Sequence, residues 1–247
     1  MPDRDSYEPG TPSWVDLASS DTAASKRFYT GLFGWEWEDQ PGAPYSIALM
    51  RGRHVAGLGG MPGMPPVWQS YVTVADVDAT AVSVPGAGGT VVMPAMDVLD
   101  AGRMAVFADP TGAAICAWQP KNHIGSQVVN EPGAYSWNEL VTPDIAAASA
   151  FYERVFGWQA VPFEGMDYTV FQLDGNGIAG ALKPPAEGIP PHWMVYFTVA
   201  DTDAAAATAR ELGATVLAEP FDIPGVGRIA ALADSNGAAF SIITNAQ

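Results

Sequence analysis

The 247-residue chain carries a single cysteine, Cys116, so no internal disulfide can close and no cysteine-rich zinc motif can form. Basic residues are scarce: 11 Lys and Arg stand against 27 Asp and Glu, for a formal net charge of −16. Phosphate backbones and anionic membrane surfaces need clustered cations, so neither nucleic acid nor membrane is an expected partner. Charged residues of either sign make up only 15% of the chain, against a usual share of about 25%. No apolar run is long enough to span a bilayer, and the N-terminal MPDRDSYEPG lacks the apolar stretch of a signal peptide. A cytoplasmic protein is the expectation. A phosphate-binding glycine loop is also missing: GLGGMPG at 57–63 has neither the lysine nor the strand–helix setting. No cofactor is therefore expected.

What the chain does have is repetition. Trp14–Trp35 and Trp137–Trp158 align at an offset of 123 with 10 identities in 22 positions, among them Phe-Tyr followed by Phe-Gly-Trp. SYVTVADVDATA from Ser70 matches VYFTVADTDAAA from Val195 at 8 of 12 positions, with an offset of 125. GRMAVFADPTGAA from Gly102 matches GRIAALADSNGAA from Gly227, again at 125. Three matches in one order at a nearly constant offset mean a tandem duplication. The expected domains are 10–120 and 135–244, with a polar linker at 121–134.

Each half reads locally as βαβββ–βαβββ. SWVDLAS alternates as a strand. Asp21 stands as N-cap before the helical TAASKRFYTGLF, and Gly34 stands as its C-cap glycine. Short strands follow in WEWED, YSIALM and HVAGLGG. WQSYVTVAD is a strand, VDATAVSVPGA a helix, and TVVMPAMDV, GRMAVFAD and AAICAW close the half, with DPTG as a tight turn. The fold class is α+β: four βαβββ modules paired into two tandem, eight-stranded, cup-shaped domains. The Phe and Trp of the repeated Phe-Gly-Trp are expected in the core rather than in a site.

The run strand–Asp–helix–FY…LFGW, then VTVADVD, then GR…ADPTGA, resembles the vicinal-oxygen-chelate superfamily, which includes glyoxalase I, extradiol dioxygenases and bleomycin-resistance proteins. The likeness covers about 12–118 and 135–243. Within it, TPSWVDL, AGRMAVFADPTGAA and NHIG resemble a two-domain actinobacterial glyoxalase-like group. The resemblance implies that paired modules curl into cups holding a small ligand or a metal, and that this chain, monomer or homodimer, contains two complete cups.

Members with a metal hold it through His, Gln or Glu on the first, fifth and last strands. Counting from the shared landmarks, these positions are Trp14, Gln69 and Cys116 in the first half and Trp137, Met194 and Ser241 in the second. Neither set makes a usual site, so no metal is expected. His54, His123 and His192 miss these positions and read as loop or surface residues.

If the ligand positions face inward, strand alternation nominates Trp14, Asp16, Gln69, Tyr71, Cys116 and Trp118 for the first cup. For the second it nominates Trp137, Glu139 and Tyr196. Trp68 and Trp193 flank them, and Arg103 and Arg228 sit in the repeated Gly-Arg stretches. Asp16, Tyr71 and Cys116 are the candidate base, acid and nucleophile; the others are candidate ligand-binding residues. Two bland readings stand beside this: the two indoles simply plug the cups, and Asp16 pairs with Arg103 in a buried salt bridge. The functional expectation is a glyoxalase/bleomycin-resistance-like protein that binds a small aromatic molecule. The alternatives are a metal-dependent glyoxalase-type lyase and a cofactor-independent, hydroxylase-like enzyme acting on a natural product.

Overall fold

A computed structural model describes residues 3–246. The first half runs β1 (Pro12–Ser19), α1 (Thr22–Phe33), β2 (Glu36–Asp39), β3 (Tyr45–Met50), β4 (Arg53–Gly60), β5 (Val67–Thr73), α2 (Val77–Gly86), β6 (Thr90–Val98), β7 (Gly102–Ala108) and β8 (Ala114–Pro120). The second half repeats this order as β9 (Tyr135–Val141), α3 (Ile145–Phe156), β10 (Gln159–Pro162), β11 (Thr169–Leu173), β12 (Asn176–Leu182), β13 (His192–Thr198), α4 (Thr202–Glu211), β14 (Thr215–Ile223), β15 (Gly227–Ala233) and β16 (Ala239–Asn245).

Each half forms one eight-stranded mixed sheet. The first has the order β2-β3-β4-β1-β5-β8-β7-β6, and the second follows the same pattern. The two modules of a half join where β1 runs antiparallel to β5, and β9 to β13. Asp21 caps α1 as expected, accepting from the Ala24 N–H at 2.9 Å, and Asp144 caps α3 in the same way, accepting from Ala147 at 2.9 Å. Gly34 ends α1 at φ +73° and Gly157 ends α3 at φ +77°, a left-handed conformation that glycine adopts without strain.

Each sheet curls into a cup, and the helix-bearing faces of the two sheets pack on each other with pseudo-two-fold symmetry. One core joins β1, α1, β3 and β4 to residues of β13, α4, β15 and β16. The other joins β5, α2, β7 and β8 to residues of β9, α3, β11 and β12. The repeated Phe-Tyr…Phe-Gly-Trp stretch builds this junction. Tyr29 donates to Asp234 at 3.1 Å, and Tyr152 donates to Asp109 at 3.0 Å. The Trp35 indole donates to the Gly133 carbonyl, and the Trp158 indole to the Gly10 carbonyl. The two aspartates belong to the repeated turns. Asp109 Oδ1 accepts from the backbone N–H groups of Thr111, Gly112 and Ala113, leaving Oδ2 for the tyrosine of the other half. The motif occurs twice because each half presents it to the other.

Candidate functional site

The inner face of the first sheet gathers Trp14, Ile47, Tyr71, Val106, Cys116 and Trp118 into a separate small core. Asp16 lies within it, only 8% exposed. The strand register explains the grouping: Trp14 is paired with Tyr71, Asp16 with Gln69, and Tyr71 with Cys116, all on one face. Asp16 Oδ2 accepts two phenol hydrogen bonds, from Tyr71 at 3.0 Å and from Tyr45 at 3.1 Å. Tyr45 in turn accepts from the Trp14 indole at 3.2 Å. Asp16 Oδ1 is buried and finds no hydrogen-bond partner among the described residues.

The second cup repeats the design. The Trp137 indole donates to Tyr168 at 2.9 Å, and Tyr196 donates to Glu139 at 2.7 Å. Tyr45 and Tyr168 are missing from the sequence-derived set, because each lies at or just outside the start of its strand. A signal for them was present: they stand 123 residues apart, the same offset as Trp14 and Trp137. Gly57 and Gly180, also 123 apart, complete the pattern. Gly57 is paired with Asp16 and Gly180 with Glu139. A Cβ on either glycine would overlap the tyrosine oxygen of its own cup. Each glycine therefore leaves the space that brings phenol and carboxylate together.

Four nominated residues lie elsewhere. Trp68 donates to Tyr29 and Trp193 to Tyr152, both inside the junction between the halves. Each is one residue from an inward position, and the period-two alternation of a strand sends it to the opposite face. Arg103 pairs with Asp78 at 2.9 Å and Asp97 at 3.3 Å, and Arg228 with Asp203 at 2.6 Å and Asp222 at 3.1 Å. These pairs tie α2 and α4 to the outer face of the sheets. The anticipated Asp16–Arg103 pair does not form, because Arg103 alternates with the inward Met104 and Gly102 packs under Trp118.

Burial sets the electrostatics. Loss of hydration pushes the Asp16 carboxyl up to about 6, although the Tyr71 and Tyr45 hydrogen bonds work against the rise. Glu139 is raised for the same reason, opposed by Tyr196 and Tyr168. Burial, reinforced by the Asp16 charge, pushes the Cys116 thiol far above its ordinary value. The thiol lies 3.5 Å from Gln69 Oε1, and a hydrogen bond with Tyr71 opposes the rise only weakly. A thiol kept protonated in this way lacks the character of a nucleophile.

The linker supplies a cover for the first cup. Ser126 N–H donates to the Ser13 carbonyl, and Gln127 and His54 exchange hydrogen bonds. His123 packs edge-on against Trp14, with ring centres 4.4 Å apart, while the Trp118 indole donates to the His123 carbonyl. Its Nδ1 lies 3.3 Å from His54 Nδ1. His192 lies apart, with its Nδ1 at 2.9 Å from the Pro190 carbonyl oxygen.

A family model for the Glyoxalase/Bleomycin resistance protein/Dioxygenase superfamily matches residues 11–117 and 125–242. The chain belongs to this superfamily. A Mycobacterium tuberculosis protein named "Putative glyoxylase CFP32" is 48% identical, over 98% of each chain. The "Anthracycline biosynthesis protein DnrV" of Streptomyces peucetius is 40% identical, over 96% of this chain and 94% of its own. Among solved structures, the Mn(II)-bound glyoxalase of Novosphingobium aromaticivorans superposes with a TM-score of 0.67 at 16% identity, covering 97% of this chain and 84% of its own. The 2,3-dioxygenase LapB of Pseudomonas sp. KL28 gives 0.68 at 14%, covering 96% and 92%. At such identities these two share the fold alone with this chain.

The metal of the superfamily's metalloenzymes does not fit the donors present in these cups. At the first cup's three ligand positions stand an indole N–H already spent on Tyr45, a Gln amide, and a buried protonated thiol. The second cup offers an indole, a thioether and the Ser241 hydroxyl. Divalent metals want imidazole, carboxylate, thiolate or amide-carbonyl donors, and of the three ligand positions in each cup only Gln69 offers one. Among the described residues, no three His, Cys, Asp or Glu side chains come together as a metal cluster.

Proposed function

We propose that the first cup binds a small, flat, hydroxylated aromatic molecule, with Asp16 as hydrogen-bond acceptor and no metal in the superfamily's usual place. The observation that carries this reading is the bare Asp16 Oδ1. A buried acceptor without a partner costs about 1–3 kcal/mol, more when charged. A cup that was only a plug would be more stable with an apolar side chain there. A ligand hydroxyl would supply the missing donor, and Trp14, Tyr71 and Trp118 offer aromatic surface around it. The name of the Streptomyces relative favours the same ligand class, since anthracyclines are built from fused, hydroxylated rings. A binding role, rather than covalent catalysis, is favoured by the protonated Cys116. Entry requires the His123 ring to shift, because it packs edge-on against Trp14.

The test is a tryptophan-fluorescence titration with alizarin, a dihydroxyanthraquinone. Saturable quenching is expected. Asp16→Asn should weaken it at least about tenfold, since hydrogen bonds to charged groups carry about 1.5–3 kcal/mol. Glu139→Gln should leave it unchanged. No quenching, or equal affinity in Asp16→Asn, would overturn the proposal.

A further inference from the structure

Two of the three histidines meet at the rim of the first cup, although 69 residues separate them in sequence. His54 lies on β4, opposite the inward-facing Leu49. His123 comes from the linker. Their Nδ1 atoms are 3.3 Å apart. In the metal-free chain this is a hydrogen bond at the long end of the range, one ring donating to the other according to tautomer. The separation also suits a shared metal: two imidazole nitrogens at about 2.0–2.1 Å from a tetrahedral ion stand about 3.3 Å apart.

We infer that His54 and His123 form a two-imidazole site for a borderline divalent ion such as Zn²⁺, its remaining positions filled by water or a small exogenous ligand. These are not the positions where the superfamily places its metal. Both residues are half-buried, at the rim of the cup rather than in its core. Both are held in place. The His54 backbone exchanges hydrogen bonds with Gln127, and the His123 carbonyl accepts from Trp118 while its ring packs on Trp14. Loss of hydration lowers both imidazoles, His123 to about 4, which favours the uncharged form. The Glu38 carboxylate, carried on β2 across from β3, adds negative charge towards His54. The net charge of −16 favours any cation further.

The duplicated scaffold does not require the pair. The residue 123 positions after His54 is Gly177, which is paired with Gln172 just as His54 is paired with Leu49. The second cup therefore has no imidazole at this place. The tryptophan, the tyrosines, the acid and the glycine are present in both halves, so the imidazole pair is a property of the first half alone.

Binding is best read by Zn²⁺ titration of the tag-free chain after chelator treatment, following the imidazole nitrogens by two-dimensional NMR. Three histidines give three resolvable rings. Nδ1 of His54 and of His123 should shift together as one equivalent of Zn²⁺ is taken up, and His192 should stay where it is. Calorimetry should show affinity falling at least about tenfold in His54→Ala and in His123→Ala, and unchanged in His192→Ala. The wild-type spectra stand even if a variant folds poorly. No shift of the two rings with Zn²⁺, or full affinity retained in both variants, would overturn the inference. Neither result bears on alizarin binding, which is measured in the metal-free chain.

Discussion

The two cups share tryptophan, acid, two tyrosines and glycine, yet they differ in closure. Trp14 is 4% exposed and lies beneath His123, whereas Trp137 is half-buried. Asp16 keeps one oxygen bare and buried, while Glu139, with one more methylene, brings its carboxylate to Tyr196 at 2.7 Å. Met194 and Ser241 replace Gln69 and Cys116. A duplicated scaffold thus holds one cup that is covered and polar at its base, and a second that is more open. Duplication copied the packing that both halves need, and left the cup floors free to diverge.

The comparison is sharpened most by removing the acids. The Asp16 carboxyl titrates near 6 when folded, against 3.8 for the free side chain. Folding therefore binds its proton more tightly. Its stabilising effect is full below about pH 4 and is lost as the pH rises through about 6. Asp16→Asn removes that loss. The variant should gain about 3 kcal/mol on wild type by pH 8, and the gain should vanish at pH 4, as read by urea unfolding across pH. Glu139→Gln should act in the same direction. An Asp16→Asn variant that is destabilised at pH 8 would mean that the carboxylate holds the cup together rather than waiting for a ligand.

Next come the glycines. A Cβ on Gly57 would crowd both Tyr45 and the Asp16 Cβ, whereas the three atoms nearest a Cβ on Gly180 all belong to Tyr168. Tyr168 precedes its strand, whereas Tyr45 is held within β3, so Tyr168 can yield more readily. Gly57→Ala should cost about 2–3 kcal/mol and Gly180→Ala about 1 kcal/mol. Equal costs would remove the asymmetry. The smallest effect is expected from His123→Ala. It should lower stability by under about 1 kcal/mol while making the first cup resemble the second, seen as a red shift in tryptophan emission and stronger iodide quenching.

Much of this was legible in the residues. The offsets of 123 and 125 contain the two halves, and the capping aspartates and Gly34 place the helix ends. Alternation from Trp14 and Cys116 identified Asp16, Gln69, Tyr71 and Trp118, and in the second half Trp137, Glu139 and Tyr196. It could equally have excluded Trp68 and Trp193, each one step out of phase. Arg103 and Arg228 were drawn toward the cups by their repetition alone, although repetition also marks the surface pairs that tie a helix to its sheet. Tyr45 and Tyr168 were overlooked because they stand where regular strand pattern ends, and only the matched offset reveals them.

The sequence by itself determined the duplication, the order of elements and the face of each strand, because these follow from local periodicity and turn chemistry. The tertiary structure alone decided what each face meets. Docking of the halves turned the Phe-Tyr…Phe-Gly-Trp repeat into a reciprocal junction. The linker's path brought His123 to His54. Sheet curvature carried Tyr45 across Gly57 to Asp16. Contacts of this kind join residues tens of positions apart, and no pattern of period two or 3.6 encodes which distant partner arrives.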